Sequence, residues 1–252
     1  MANNLSIKAL LTTTFLTFSL FCTKTPAREH INIGYGVNNS PPYALIEQEQ
    51  LTGGVIYDIA VQVAKELDLD TNFVFLPRTR VEQYLLDGTL DVYFISNPKW
   101  ITAPEIIWSE PMFDEQNVIV QLSGEQDYTK LSDLYEKRIG TVHGYIYPAL
   151  TGSFERQDIY RSDVKSLLDN FQRLDKGWID GFVGSDILIH HALQKSGEDE
   201  RFQIASYLVS HHEIRTAISP KSKISVAKLL AVINRLTSDG VIDKILAGYI
   251  EH

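Results

Sequence analysis

Residues 54–96 read GVIYDIAVQVAKELDLDTNFVFLPRTRVEQYLLDGTLDVYFIS, and the period of the apolar positions changes along this stretch. From Gly54, the residues Ile56, Ile59, Ala60, Val63, Ala64 and Leu67 recur at helical spacing, so they form one buried face while Asp58, Gln62 and Glu66 point elsewhere. NFVFLP (72–77) then reads as a strand, RVEQYLLDG (80–88) as a short helix with Val81, Tyr84 and Leu85 on one face, and LDVYFIS (90–96) as a second strand. Upstream, HINIGYG (30–36) alternates like a half-buried strand and NNSPPY (38–43) carries loop chemistry. The resulting β-α-β-α-β order predicts an α/β fold with a mostly parallel sheet, which holds ligands beyond the carboxyl ends of its strands. The loops NNSPPY and SNPKW (96–100) belong to that edge.

The same grammar returns downstream. KRIGTVHG (137–144), WIDGFVG (178–184) and FQIASYL (202–208) read as strands, separated by helices over DVKSLLDNFQRLDKG (163–177) and DILIHHALQKSG (186–197). LLDGTLD (85–91) and LDKGWID (174–180) echo each other, each placing an aspartate after a glycine turn where a strand begins. EIRTAISP (213–220), SVAKLLAVINRLTSDG (225–240) and VIDKILAGYI (241–250) supply one strand and two helices, too few for a third sheet. If they return to the first half, the chain crosses twice, near 113–120 and near 208–215. Two crossing strands make a hinge that bends with little strain.

The N-terminal segment MANNLSIKALLTTTFLTFSLFCTKTPA has the layout of a secretory signal peptide, with Lys8 ahead of an apolar stretch and small residues before Arg28. Cleavage is expected after Ala27, giving residues 1–27 as the signal and a periplasmic, exported chain. Cys22 is the one cysteine, and bulky Phe21 before it argues against lipid attachment there. A formal charge of −9 makes nucleic acid and anionic membranes poor partners. No G-x-S-x-G elbow, catalytic cysteine or phosphate loop is present, so no enzyme activity and no cofactor are expected. The pairs His190–His191 and His211–His212 cannot each chelate one ion, because adjacent side chains diverge on a helix or a strand. No metal is expected.

The motifs PPY (41–43), LTGGVIYDIA (51–60), LDGTLDVYF (86–94), WSEPMF (108–113), KRIGTVHGYIY (137–147), KGWIDGFVGSD (176–186) and INRLTSDGVIDKIL (233–246) resemble, in order, the bacterial extracellular solute-binding proteins of family 3. These are type II periplasmic binding proteins linked to polar amino acid uptake. The resemblance implies two α/β lobes, residues 28–114 with 214–252 and residues 119–207, joined by a two-strand hinge that closes around a small-molecule ligand. It also implies a monomer working with an ABC permease, or alternatively with a membrane sensor.

Candidate contacts follow from chemistry and from the family's placement of its loops. Tyr43 offers a flat ring after two prolines. Asn97, Lys99 and Trp100 follow a strand end with an amide, a cation and a stacking surface. Arg78 and Arg80 both follow Pro77, and Arg80 resembles an arginine that many relatives carry there, with a fork suited to a carboxylate. Gly144 and Tyr145 lie where a strand turns toward a helix N-terminus. Ser185 and Asp186 end the next strand, where the family often keeps an amine-binding aspartate, whereas Asp91 and Asp180 read as structural. One departure stands out. The family's carboxylate-clamping arginine has no counterpart between Lys99 and Phe113, where Thr102 stands, and Gly144 is followed by Tyr145 and Ile146 rather than small hydroxyl residues. The implied solute is therefore not an ordinary α-amino acid held in the usual manner.

Overall fold

A computed structural model describes residues 29–36, 38–197 and 200–250; the expected signal segment and Cys22 lie outside them. Strand β1 (His30–Tyr35) leads to a small hairpin, β2 (Leu45–Glu47) and β3 (Gln50–Gly53). Helix α1 (Val55–Leu67) buries Val55, Ile56, Ile59, Ala60, Val63 and Ala64, the face its spacing predicts. Strand β4 (Asp70–Phe75), helix α2 (Val81–Asp87) and β5 (Val92–Ser96) complete the first series. β1 pairs in parallel with β4 and β5, with α1 and α2 as the crossover connections.

After the short β6 (Ile107–Trp108), β7 (Phe113–Leu122) leaves this half. The second half holds β8 (Arg138–Val142), α3 (Pro148–Glu155), β9 (Tyr160–Val164), α4 (Leu167–Asp175), β10 (Gly181–Ser185) and α5 (Asp186–Ser196). β8 pairs in parallel with β9 and β10, and β10 runs antiparallel to β7. The 17-residue β11 (Phe202–Ile218) then returns. Its first part pairs with β7 and its last residues pair with β5 and β6, so β7 and β11 together are the two-strand connection between the lobes. Helices α6 (Val226–Ser238) and α7 (Val241–Ile250) pack on α1.

The continuous order β4-β1-β5-β11-β7-β10-β8-β9 places the two parallel sets on either side of the antiparallel pair. Each lobe has its own apolar cluster on one face, around Leu85 and Tyr93 in the first and Ile139 and Leu150 in the second, while a third runs beneath both. Asp91 is structural: its carboxylate accepts from the Asn32 amide and the Ser222 hydroxyl. Asp180 does the same for the Arg138 amide. Among the described residues no helix is long and apolar enough to cross a membrane.

Two elements differ from the sequence expectation. Residues 160–164, partly assigned to a helix, form edge strand β9, and α3 precedes it. The strands expected at 202–208 and 213–220 are one strand, β11, with register shifts between Ile204 and Ser210.

Candidate ligand-binding site

The loop after β1 is held by the start of α1. The Val55 and Ile56 amides, which lack partners within the helix, donate to the Pro42 and Tyr43 carbonyls at 3.0 and 2.9 Å. Gly54 makes that close approach feasible: its φ is 101°, and a Cβ there would sit 2.8 Å from the Pro42 and Tyr43 carbonyl oxygens. Tyr43 is thereby fixed with its ring buried and its hydroxyl donating to the Glu115 carboxylate on β7. Glu115 also interacts with the Ser185 hydroxyl at the end of β10. One buried carboxyl therefore meets a hydroxyl from each lobe at the connecting strand.

Around this carboxyl lies a cavity of about 270 Å³ walled by both lobes. The first lobe contributes Asn38, Tyr43, Arg78, Tyr93, Ile95 and Trp100; the second contributes Val142, Gly144, Tyr145, Tyr147, Ser185 and Leu188. Tyr145 spans the gap, its hydroxyl donating to the Asn38 carbonyl. Arg78 is the cation on this wall and Glu115 the acid. An Arg78 Nη2–H donates to the Trp100 carbonyl at 2.7 Å, and among the described residues no carboxylate pairs with it. Ile95 is held at φ 50°, an uncommon conformation for a β-branched residue and one that concentrates at binding sites.

Burial sets the electrostatics. Desolvation pushes the Glu115 carboxyl up to about 7, with Asp186 adding in the same direction and the Tyr43 and Ser185 hydroxyls opposing it. Burial raises Tyr43 and Tyr145 well above ordinary phenols, and Tyr145 feels Glu115 and Arg78 with opposite sign. Tyr147 is pushed up to about 12, mainly by burial. Behind Trp100 the ring of His212 packs edge-on at 5.3 Å, and burial, then Lys99 and His211, depress its basicity.

Of the residues expected from sequence, Tyr43, Trp100, Gly144, Tyr145 and Ser185 lie on the cavity wall. Arg80 does not: it is exposed and donates to Gln83 at 3.2 Å, and Arg78 takes the inward position. Residues 78–80 form a 3₁₀ turn, in which two positions apart means about 120° apart around the axis, so both arginines cannot face one cleft. Asn97 and Lys99 also lie off the wall. Asn97 accepts from the Lys99 amide and donates to the Glu213 carbonyl, both at 2.8 Å, pinning the loop to β11. Lys99 is exposed on the far side with His211 and Arg215. Asp186 is not on the wall: its Oδ1 accepts from the Gln116 amide of β7 at 3.0 Å and from the Ile187 amide at the start of α5 at 2.8 Å. At the position without an arginine, the Thr102 amide and hydroxyl bind the Glu82 carboxylate.

Wall residues that sequence reasoning passed over include Glu115, Tyr93, Asn117 and Tyr147. The signal for Glu115 is its place in the crossing strand FDEQNVIV, where period two puts it on the same face as Phe113, Asn117 and Ile119.

The family model described as bacterial extracellular solute-binding proteins, family 3, matches residues 32–252. Among solved structures, an ancestral arginine-binding protein bound to arginine aligns with TM-score 0.70 at 19% identity, covering 88% of this chain and 98% of that one. The GluR0 ligand-binding core in complex with L-glutamate aligns with TM-score 0.74 at 13% identity, covering 89% and 99%. The substrate-binding protein of an amino acid ABC transporter aligns with TM-score 0.67 at 18% identity, covering 88% and 100%. These identities speak for the fold alone. No protein of curated function matches the sequence.

Proposed function

Because the chain belongs to the bacterial extracellular solute-binding proteins, family 3, we propose that it captures a small polar organic solute between its lobes, without turnover, in the periplasm. The observation that carries this reading is the cavity of about 270 Å³ whose wall is shared by both lobes and centred on the connecting strand. A solute there touches both lobes at once, so its binding energy favours closure over separation. Aromatic rings supply contact area at low conformational cost, and Arg78 and Glu115 supply direction.

Delivery to an ABC permease is the proposed destination, supported by the family and by the likeness to an amino acid transporter's binding protein. The test is a thermal-shift screen of the mature chain against a metabolite library, followed by calorimetry. A solute at 100 times its Kd adds about 2.7 kcal/mol of stability, and Trp100→Ala is expected to weaken binding far more than it weakens folding. A library without a single stabilising solute overturns the reading.

A further inference from the structure

The wall of the cavity carries unequal poles. Its cation, Arg78, is half-buried, and with one Nη2–H on the Trp100 carbonyl the remaining guanidinium donors are left for whatever enters. Its acid, Glu115, is nearly fully buried and already meets two hydroxyls, so it asks little of a ligand. Asp186, a carboxylate that would hold an ammonium group, is not part of the wall, and its Oδ1 accepts from two backbone amides. Between these poles the wall is built from Tyr43, Tyr93, Trp100 and Tyr147, joined by Ile95, Val142 and Leu188. The space is smaller than the roughly 300–1,000 Å³ that drug-sized ligands occupy, which suits one ring and a short substituent.

Resting on the capture reading above, we infer that the solute is a small carboxylate with a flat, apolar or aromatic body, its acid held by Arg78, and that an α-ammonium group contributes little. An unpaired, partly desolvated guanidinium favours an anion with planar oxygens, because two parallel N–H···O bonds satisfy both partners. The rings then replace water around the body of the ligand, where a charged amine loses its hydration and meets only a Glu115 carboxyl that already binds the Tyr43 hydroxyl.

The test uses matched probes that differ in one group: phenylacetate, phenylacetamide, phenethylamine and L-phenylalanine, with benzoate and benzamide as the shorter pair. Each is titrated into the mature chain by calorimetry. Phenylacetate or benzoate is expected to bind with one-to-one stoichiometry, its amide at least about tenfold more weakly, since a hydrogen bond to a charged group is lost. Phenethylamine is expected to bind no better than the amide. Arg78→Met should erase the preference of acid over amide, and Arg78→Lys, which keeps the charge and loses the fork, should retain part of it. The comparison between acid and amide needs no mutation, so a variant that fails to fold leaves the test intact.

Three results overturn the inference while leaving capture standing: an amide or amine binding as tightly as its acid, L-phenylalanine binding more tightly than phenylacetate, or neither acid binding while another solute of the library does. A library in which nothing binds sinks both.

Discussion

Glu115 joins the lobes through a carboxyl whose proton affinity is raised, and that makes the protein's stability depend on pH in a definite direction. With a folded pKa near 7 against an ordinary 4.5, the folded chain holds this proton more tightly than the unfolded chain. The resulting stability is complete below about pH 4.5 and is lost as pH rises through about 7, at most about 3 kcal/mol over that window. His212 acts oppositely: its depressed pKa contributes stability above about 6.5 that is lost as pH falls. Glu115→Gln separates the two. Its melting temperature is expected to fall less than that of the parent between pH 5 and pH 8, and parallel profiles would refute the assignment.

The same carboxyl makes ligand charge readable. The groups facing it are the Tyr43, Ser185 and Asp186 side chains, with Tyr145 also within reach of its charge. A carboxylate solute nearby favours the protonated form, so its affinity should rise on going from pH 8 to pH 6, whereas an ammonium solute should show the reverse slope. At this scale the sequence was informative about residue type and poor about direction. A planar ring after two prolines and a tyrosine after Gly144 were legible as wall residues because loop chemistry alone places them at strand ends. Arg78 was not separable from Arg80, because the choice between them is made by the phase of a 3₁₀ turn, which no periodicity in three residues reveals. Asn97 and Asp186 have the chemistry of ligand contacts, but unsatisfied backbone groups nearby claimed them first.

Among the elements, the start of α1 positions the Tyr43 loop through Gly54. A side chain there is opposed both by φ 101° and by two backbone oxygens at 2.8 Å that no rotamer change can move. Gly54→Ala is expected to destabilise by about 1–3 kcal/mol, lowering the melting temperature by a few degrees per kcal/mol, and to weaken solute binding because Tyr43 shifts. An unchanged melting temperature would show that the loop is not held as described. Helices with a continuous apolar stripe, α1, α6 and α7 above all, were legible because burial on one face imposes the period. β9 was hidden because YRSDV is an edge strand with no fully buried residue, so nothing in it alternates sharply. β11 read as two strands because its register shifts break the alternation near Leu208, a half-exposed apolar residue in mid-strand.

For the whole molecule, the two long strands β7 and β11 are the covalent path between lobes, and polar contacts among the described residues also bridge them. Tyr43 meets Glu115 and Ser185 at the centre, Tyr145 reaches the Asn38 carbonyl across the cavity, and the His191 ring bonds the Tyr249 carbonyl between α5 and α7 at 2.9 Å. Each bridge holds the lobes together and is worth about 0.5–1.5 kcal/mol at most, so closure is an equilibrium that a bound solute can tip. Tyr145→Phe removes one bridge and keeps the ring. Its solute affinity is expected to drop several-fold with the melting temperature of the free protein nearly unchanged, and an unaltered affinity would exclude Tyr145 from closure. The twin α/β series and the two crossings were visible in the sequence from Gly54 onward; the bridges were not, because each joins residues more than 50 positions apart or one loop to another.

The claim that both lobes close on one solute is tested most directly by small-angle X-ray scattering of the mature chain, with and without a saturating solute identified by thermal shift. Closure predicts a smaller radius of gyration and a shorter maximum dimension with solute, and a loss of that compaction when Trp100 and Tyr145 are both replaced by alanine. Scattering curves that superimpose with and without a proven solute would contradict it.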